Sequence, residues 1–141
     1  MKRKQRTEIL ISRPPALMKS LADEIVNKYG TSIIEEPNPG LVMVKVRETA
    51  KQSLFYLGEV LVTECKVKVG ESIGIGLVRG EESEAAYHLA VIDAAYSAEL
   101  EETAHWEALL QKEQQMLVEE RAEKRRKLLV TKVDFDTMDQ D

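Results

Sequence analysis

The stretch that decides the fold is LFYLGEVLVTECKVKVGESIGIGLVRG, residues 54–80. Apolar and polar residues alternate through most of it, and a period of two predicts strands rather than helices. Gly70 separates a long strand, residues 54–69, from a shorter one. Gly58 predicts a bulge or bend within the long strand.

The shorter strand has two unequal faces. Ile73, Ile75 and Leu77 lie on one face, whereas the other carries only Gly74 and Gly76 among its inner positions. A face without side chains lets another backbone or side chain approach closely. We therefore expect another backbone or side chain to pack closely on these glycines, and we count them among the expected contacts with another protein.

Upstream, residues 41–48 alternate in the same way and predict a strand with one solvated face. The sequence Pro-Asn-Pro-Gly at residues 37–40 is a strong turn signal, which predicts a hairpin between this strand and a short one at Ile33-Ile34. Further upstream, apolar residues recur at helical spacing from Ala16 to a stop at Gly30. Pro14-Pro15 interrupts any helix that begins earlier.

Downstream of Gly80 the pattern is helical again, with an alanine-rich face suited to close packing against a sheet. A final helix is predicted for residues 103–128, longer than a domain of this size needs. Its apolar stripe covers only the first half, and a basic cluster follows at residues 121–127. Residues 129–141 are expected to form a docking or flexible tail.

These elements predict an α+β fold in a single domain, residues 1–141. The order is an N-terminal helix, a three- to four-stranded antiparallel sheet and two C-terminal helices, the last of them long. One domain agrees with a length of 141 residues.

Composition limits the function classes. The formal net charge of -5 opposes non-specific binding to nucleic acid or anionic lipid. The single cysteine, Cys65, cannot form an internal disulfide, and its position on the apolar side of its strand indicates a packed core thiol. No stretch is apolar and long enough for a signal peptide or a membrane span. We therefore expect a soluble, cytoplasmic protein.

Candidate catalytic and ligand sites are weak. Residues 74–80 resemble a dinucleotide-binding glycine loop, but Arg79 stands where the third glycine is required. The two histidines, His88 and His105, have no His or Cys partner at the spacing of a metal site on one helix. Asp93 interrupts an apolar helical stretch, so it must be paired or hydrogen-bonded if buried, or it serves an interface or substrate site.

Several stretches together resemble one family, the G subunit of the bacterial carbon–phosphorus lyase core complex. The most specific are GEVLVT at residues 58–63 and VIDA at residues 91–94. The others are Gln5-Arg6 with Ile9-Leu10, residues 40–47, residues 55–67 as a whole, Gly74-Ile75-Gly76 with Gly80, and residues 133–138. Asp136 departs from the family pattern, which often has an aromatic residue there.

The resemblance gives no catalytic residue to carry over, and we expect this chain to bind no metal ion or cofactor by itself. It implies assembly with the H, I and J subunits, two copies of each. With the L protein, the complex would use ATP as a substrate and replace its adenine with a phosphonate, in a step assigned to the I subunit. A separate radical step in the J subunit would later break the carbon–phosphorus bond.

Seven residues are the expected contacts with partners: Gly74, Gly76, Asp93, His105, Trp106, Arg125 and Arg126. An alternative is a stand-alone module that binds an anionic ligand or RNA through its basic helix. A third reading is a small enzyme that acts through Asp93 or His105.

Overall fold

A computed structural model describes the backbone of residues 1–139 and the side chains of residues 1–132. Two helices, a three-stranded antiparallel sheet and two further helices follow one another along the chain, which confirms the α+β prediction. The elements are α1 (Arg3–Ser12), α2 (Pro15–Tyr29), β1 (Ser32–Arg47), β2 (Leu54–Val69), β3 (Ser72–Arg79), α3 (Ser83–Ser97) and α4 (Glu101–Asp139).

The two prolines separate α1 from α2 as predicted. Pro15 occupies the first turn of α2, where its missing N–H costs nothing. Gly30 ends the helix with a positive φ of 74°, a conformation that glycine adopts without strain. Helix α2 buries Met18, Leu21 and Ile25 against the rest of the core.

The hairpin predicted at residues 37–40 is wrong. Strand β1 runs through this segment without reversing and pairs with β2 from Ser32 to Arg47. Two register shifts, between Ile33 and Asn38, accommodate the segment. The prolines are tolerated because β1 is an edge strand. An N–H on the open side of an edge strand has no partner strand, so proline can replace it without the loss of a hydrogen bond.

The bulge predicted near Gly58 is confirmed. Val44 pairs with Gly58 and Lys45 pairs with Tyr56, so one extra residue of β2 stands between them. Beyond the bulge, the second half of β2 also pairs with β3. Residues 62–69 of β2 lie antiparallel to residues 72–79 of β3. Among the strands that the structure describes, the part of β2 that precedes residue 62 pairs only with β1.

The close approach at the bare face of β3 is made by the chain's own helix. A Cβ atom at Gly74 would lie 2.7 Å from the Cβ of Ala94, and one at Gly76 would lie 2.7 Å from the backbone nitrogen of Ala90. Both glycines are buried. They are therefore covered by α3 and present no surface to a partner, contrary to the expected contact.

The core lies between α3 and this face of the sheet. Cys65, Val67 and Val69 of β2 are buried opposite the alanine face of α3, and α2 packs on the other side of that helix. The larger side chains of β3 point away from the core: Ile73, Ile75 and Leu77 are exposed. Strand β3 thus buries its glycines and shows an apolar row on its open face.

Helix α4 begins at Glu101 and continues to Asp139, past the end predicted at residue 128. Trp106, Leu110 and Leu117 bury its first half, while Leu109 and Met116 stay exposed. Residues 129–139 of the predicted tail are helical, and residues 140–141 lie outside the described residues. A docking or flexible role for the tail stays a prediction.

Candidate functional site

A two-stranded arm projects from the sheet. We define the arm as residues 41–47 of β1 and residues 54–61 of β2, which pair with each other beyond the end of β3. A short turn joins them, closed by a hydrogen bond of 2.8 Å that the backbone N–H of Glu48 donates to the carbonyl of Ser53. An isolated two-stranded ribbon is marginally stable in water.

The arm is apolar on both faces. Leu41, Val42 and Met43 are consecutive, so their side chains alternate between the faces, and each is at least 40% exposed. The exposed large apolar side chains of the arm are Leu41, Val42, Met43, Val46, Leu54, Phe55, Tyr56, Leu57 and Leu61. A contiguous apolar surface of this kind is typical of a protein–protein contact. Our sequence reasoning missed the arm because it assigned this alternation to a sheet with one buried face.

The arm also carries unpaired backbone. On β2, the edge of residues 54–61 that continues the line of β3 has no neighbouring strand among the described residues. The outer edge of β1 likewise pairs with no other strand in the part of the chain that the structure describes. Open edges can accept a strand from another chain, which gives main-chain hydrogen bonds in addition to apolar contact.

Asp93 is an organising residue of the N-terminus. Its carboxylate accepts hydrogen bonds of 3.2 Å from both Arg3 and Arg6, and a third of 3.0 Å from the backbone N–H of Ile75. The side chain of Arg6 is only 9% exposed, and its guanidinium lies 3.9 Å from the ring centroid of Tyr96. The structural pairing expected for Asp93 is therefore present.

The same cluster blocks part of the open edge of β3. Asp93 satisfies the edge-facing N–H of Ile75, while Arg3 lies 3.5 Å from the carbonyl oxygen of the same residue. Charged groups on an edge discourage pairing with another strand. A partner strand thus finds a more accessible edge on the arm than at the middle of β3.

Trp106 and His105 differ although they are neighbours. Trp106 is 2% exposed and donates its indole N–H to Glu24 at 3.1 Å, so it packs inside the chain and leaves no surface for a partner. His105 is exposed on α4. The described residues hold no group of three His, Cys, Asp or Glu side chains that could bind a metal ion.

Glu102 is a buried carboxylate that our sequence reasoning missed. It accepts hydrogen bonds from Lys28 at 2.6 Å and from the Tyr29 hydroxyl at 2.9 Å, which tie α4 to the end of α2. The hydrogen bond from Lys28 is the main cause that lowers the pKa of Glu102, against the opposing effect of burial. No sequence signal pairs residues that lie 74 positions apart.

Cys65 is fully buried, as predicted. Burial raises the pKa of its thiol, so the reactive thiolate is scarce at neutral pH. The side chain therefore acts as a small apolar residue between the sheet and α3.

The far half of α4 carries the basic cluster. Arg125 and Arg126 are exposed, as are all the described side chains from Arg121 onward. The last polar contact between α4 and another element, among the described residues, is the ion pair of Arg121 with Glu8 at 3.0 Å.

No helix of the described part is apolar and long enough to cross a membrane.

Comparison with protein families matches residues 1–140 to the model described as phosphonate metabolism protein PhnG. The match spans every element of the fold, the arm and α4 included. Comparison with curated proteins finds no match.

Proposed function

Since this chain belongs to the family of the phosphonate metabolism protein PhnG, we propose that it is an accessory subunit of the carbon–phosphorus lyase core complex. It assembles with the H, I and J subunits and supports, together with the L protein, the transfer of a phosphonate to the ribose C1 of ATP with release of adenine. The chain supplies contacts, and the catalytic groups come from its partners.

The arm is the observation that carries this proposal. It exposes nine large apolar side chains on two faces, and water solvates such a surface unfavourably. At about 25 cal/mol per Å² of apolar surface removed from water, burying an arm of this size contributes several kcal/mol of binding free energy before entropic costs. A larger protein that encloses both faces explains why the described residues of this chain leave the arm uncovered.

The site chemistry supports the same role. The buried charged side chains that the structure describes form ion pairs within the chain: Arg6 with Asp93, and Glu102 with Lys28. Neither carboxylate is left free to act as a general base. The one buried side-chain polar atom without a partner in the described part is the hydroxyl of Tyr96, which lies beside Trp106 in the core.

Co-expression with the H, I and J subunits tests the assembly. Leu57→Glu and Leu41→Glu place a charge on the arm at side chains that are 63% and 64% exposed, so they leave the fold intact. The matched control is Ile11→Glu, an exposed apolar residue of α1. We expect the arm variants to be lost from the purified complex by size-exclusion chromatography, and the control to be retained.

Adenine release tests the reaction. The I, H and L proteins with ATP and methylphosphonate should release adenine faster with the native chain than with either arm variant. Turnover by the chain alone would contradict an accessory role. Co-elution of both arm variants at native stoichiometry would show that the arm is not the contact.

The alternative is a module that binds RNA or another anion through Arg125 and Arg126. Acidic residues are interspersed with this basic segment, and Lys127 is 3.5 Å from Glu123 on the same helix. Such a module predicts salt-sensitive RNA binding by the isolated chain that disappears when both arginines are replaced with glutamine.

A further inference from the structure

The far half of α4 stands away from the domain. A helix of 39 residues is about 58 Å long at 1.5 Å per residue. Beyond Arg121, the described side chains of this helix make no polar contact with another element. Most of the stability of a helix in a protein comes from packing against another element. The described part of this helix beyond Arg121 has no such packing within the chain, which indicates that another helix packs on it.

A stripe of four residues runs along this projecting helix. Val118, Ala122, Arg125 and Leu129 are spaced by four, three and four positions, the alternation of a coiled-coil seam. Val118 is 59% exposed and Leu129 is 57% exposed, so the seam is open. Leu117, one position before it, is 8% exposed and packs toward the domain, so the stripe faces elsewhere.

Charge and size make this stripe complementary to itself in one direction only. In an antiparallel pair, Val118 of one helix meets Leu129 of the other, and the small Ala122 meets the aliphatic stem of Arg125. Glu119 then flanks the seam opposite Arg126, and two-fold symmetry forms this ion pair twice. A parallel pair would instead place Arg125 against its own copy within the seam.

We propose that the projecting half of α4 binds a second copy of this chain as an antiparallel helix pair across the seam Val118, Ala122, Arg125 and Leu129. The proposal does not depend on the role in phosphonate metabolism, because it concerns contact between two identical chains. It also gives two of the exposed surfaces different partners: the arm binds a different protein, and α4 binds its own copy.

Charge reversal tests the pairing. Glu119→Arg and Arg126→Glu each replace two attractive pairs with two repulsive ones, so each should raise the dissociation constant of the dimer about tenfold. The double variant restores both pairs with the signs exchanged and should return the constant to within about threefold of native. Analytical ultracentrifugation of the full chain over a range of concentrations measures the dissociation constant of the dimer for each variant. Circular dichroism checks that the variants keep their helicity.

A cross-link tests the direction. Val118 and Leu129 are 11 positions apart, about 16 Å along one helix, too far for a disulfide within a chain. The double variant Val118→Cys with Leu129→Cys should therefore give a covalent dimer on oxidation, whereas Val118→Cys alone should not. The native thiol at Cys65 is buried and adds little background.

The cross-link is read both on the isolated chain and on the chain co-purified with the H, I and J subunits. A covalent dimer of the double variant in either preparation supports the proposal. A dimer of Val118→Cys alone indicates a parallel pair and overturns it, as does the absence of any cross-link in both preparations. Loss of dimer in the arm variant Leu57→Glu, with no effect of Arg126→Glu, would assign self-association to the arm instead.

Discussion

Replacing Gly76 with alanine would test the close packing of α3 on the sheet. The new Cβ would lie well inside van der Waals distance of the Ala86 carbonyl oxygen and 2.7 Å from the backbone nitrogen of Ala90. Both atoms belong to the backbone of α3, so no side-chain rotation relieves the clash. Since non-bonded heavy atoms prefer about 3.5 Å, the helix would have to move by about 1 Å.

The expected cost follows from this displacement. Overpacking a tight core typically costs about 1–3 kcal/mol. Part of this is offset because alanine reduces the conformational freedom of the unfolded chain, which contributes about 0.4–1 kcal/mol of stability. Because the clash is with backbone atoms that cannot rotate away, the upper end of the overpacking cost applies, and after the offset we expect Gly76→Ala to lower the free energy of unfolding by about 2 kcal/mol.

Urea unfolding followed by circular dichroism measures the effect. With a typical slope of about 2 kcal/mol per molar urea, the midpoint should fall by about 1 M. Gly40→Ala is the matched control, because a Cβ there makes an ordinary contact of 3.6 Å with Val62 and the residue has no positive φ. Its midpoint should stay close to that of the native chain. If Gly76→Ala is as stable as this control, the packing argument is wrong.

Three further predictions concern buried groups. Asp93→Ala should cost about 3 kcal/mol because it leaves the buried guanidinium of Arg6 without its carboxylate; a loss below about 1 kcal/mol in urea unfolding would contradict this. The pKa of Glu102 is lowered in the folded chain, mainly by its hydrogen bond from Lys28. The ionised carboxylate therefore adds to the free energy of unfolding above the unfolded pKa of about 4.3, and this stability is lost as the pH falls through the folded pKa. Glu102→Gln should therefore flatten the dependence of unfolding free energy on pH below about 4.5, and an unchanged profile would count against this assignment. Burial raises the pKa of Cys65, so iodoacetamide should modify it at neutral pH only as fast as the chain unfolds, and rapid modification of the folded chain would show that the thiol is accessible.

Most element positions could be predicted from local pattern. The helical spacing before Gly30 and the alanine-rich spacing after Gly80 both marked real helices, because a helix is stabilised by contacts three and four residues apart. The family resemblance also rested on sequence alone. The turn predicted at residues 37–40 failed because local turn propensity competes with strand pairing, and β2 supplies that pairing from more than 20 residues away.

The expected contact residues had mixed outcomes for a similar reason. Asp93 was singled out correctly as a residue that needs a partner, but the partner, Arg6, is 87 positions away and could not be named. Trp106 was expected at a partner surface and lies in the core instead. The contact roles of His105, Arg125 and Arg126 stay predictions.

The sequence by itself determined the α+β class, the alternation of each strand, the need for a close contact at Gly74 and Gly76, and the family. Only the tertiary structure decided which face of each strand points inward, because alternation defines two faces and favours neither. Helix α3 packs on the glycine face of β3, because its backbone can approach closely only where there are no side chains. The opposite face, which carries Ile73, Ile75 and Leu77, is therefore exposed. The arm, too, could be recognised only in the tertiary structure. Strand β3 ends at Arg79, so among the described strands the part of β2 beyond that point pairs only with β1.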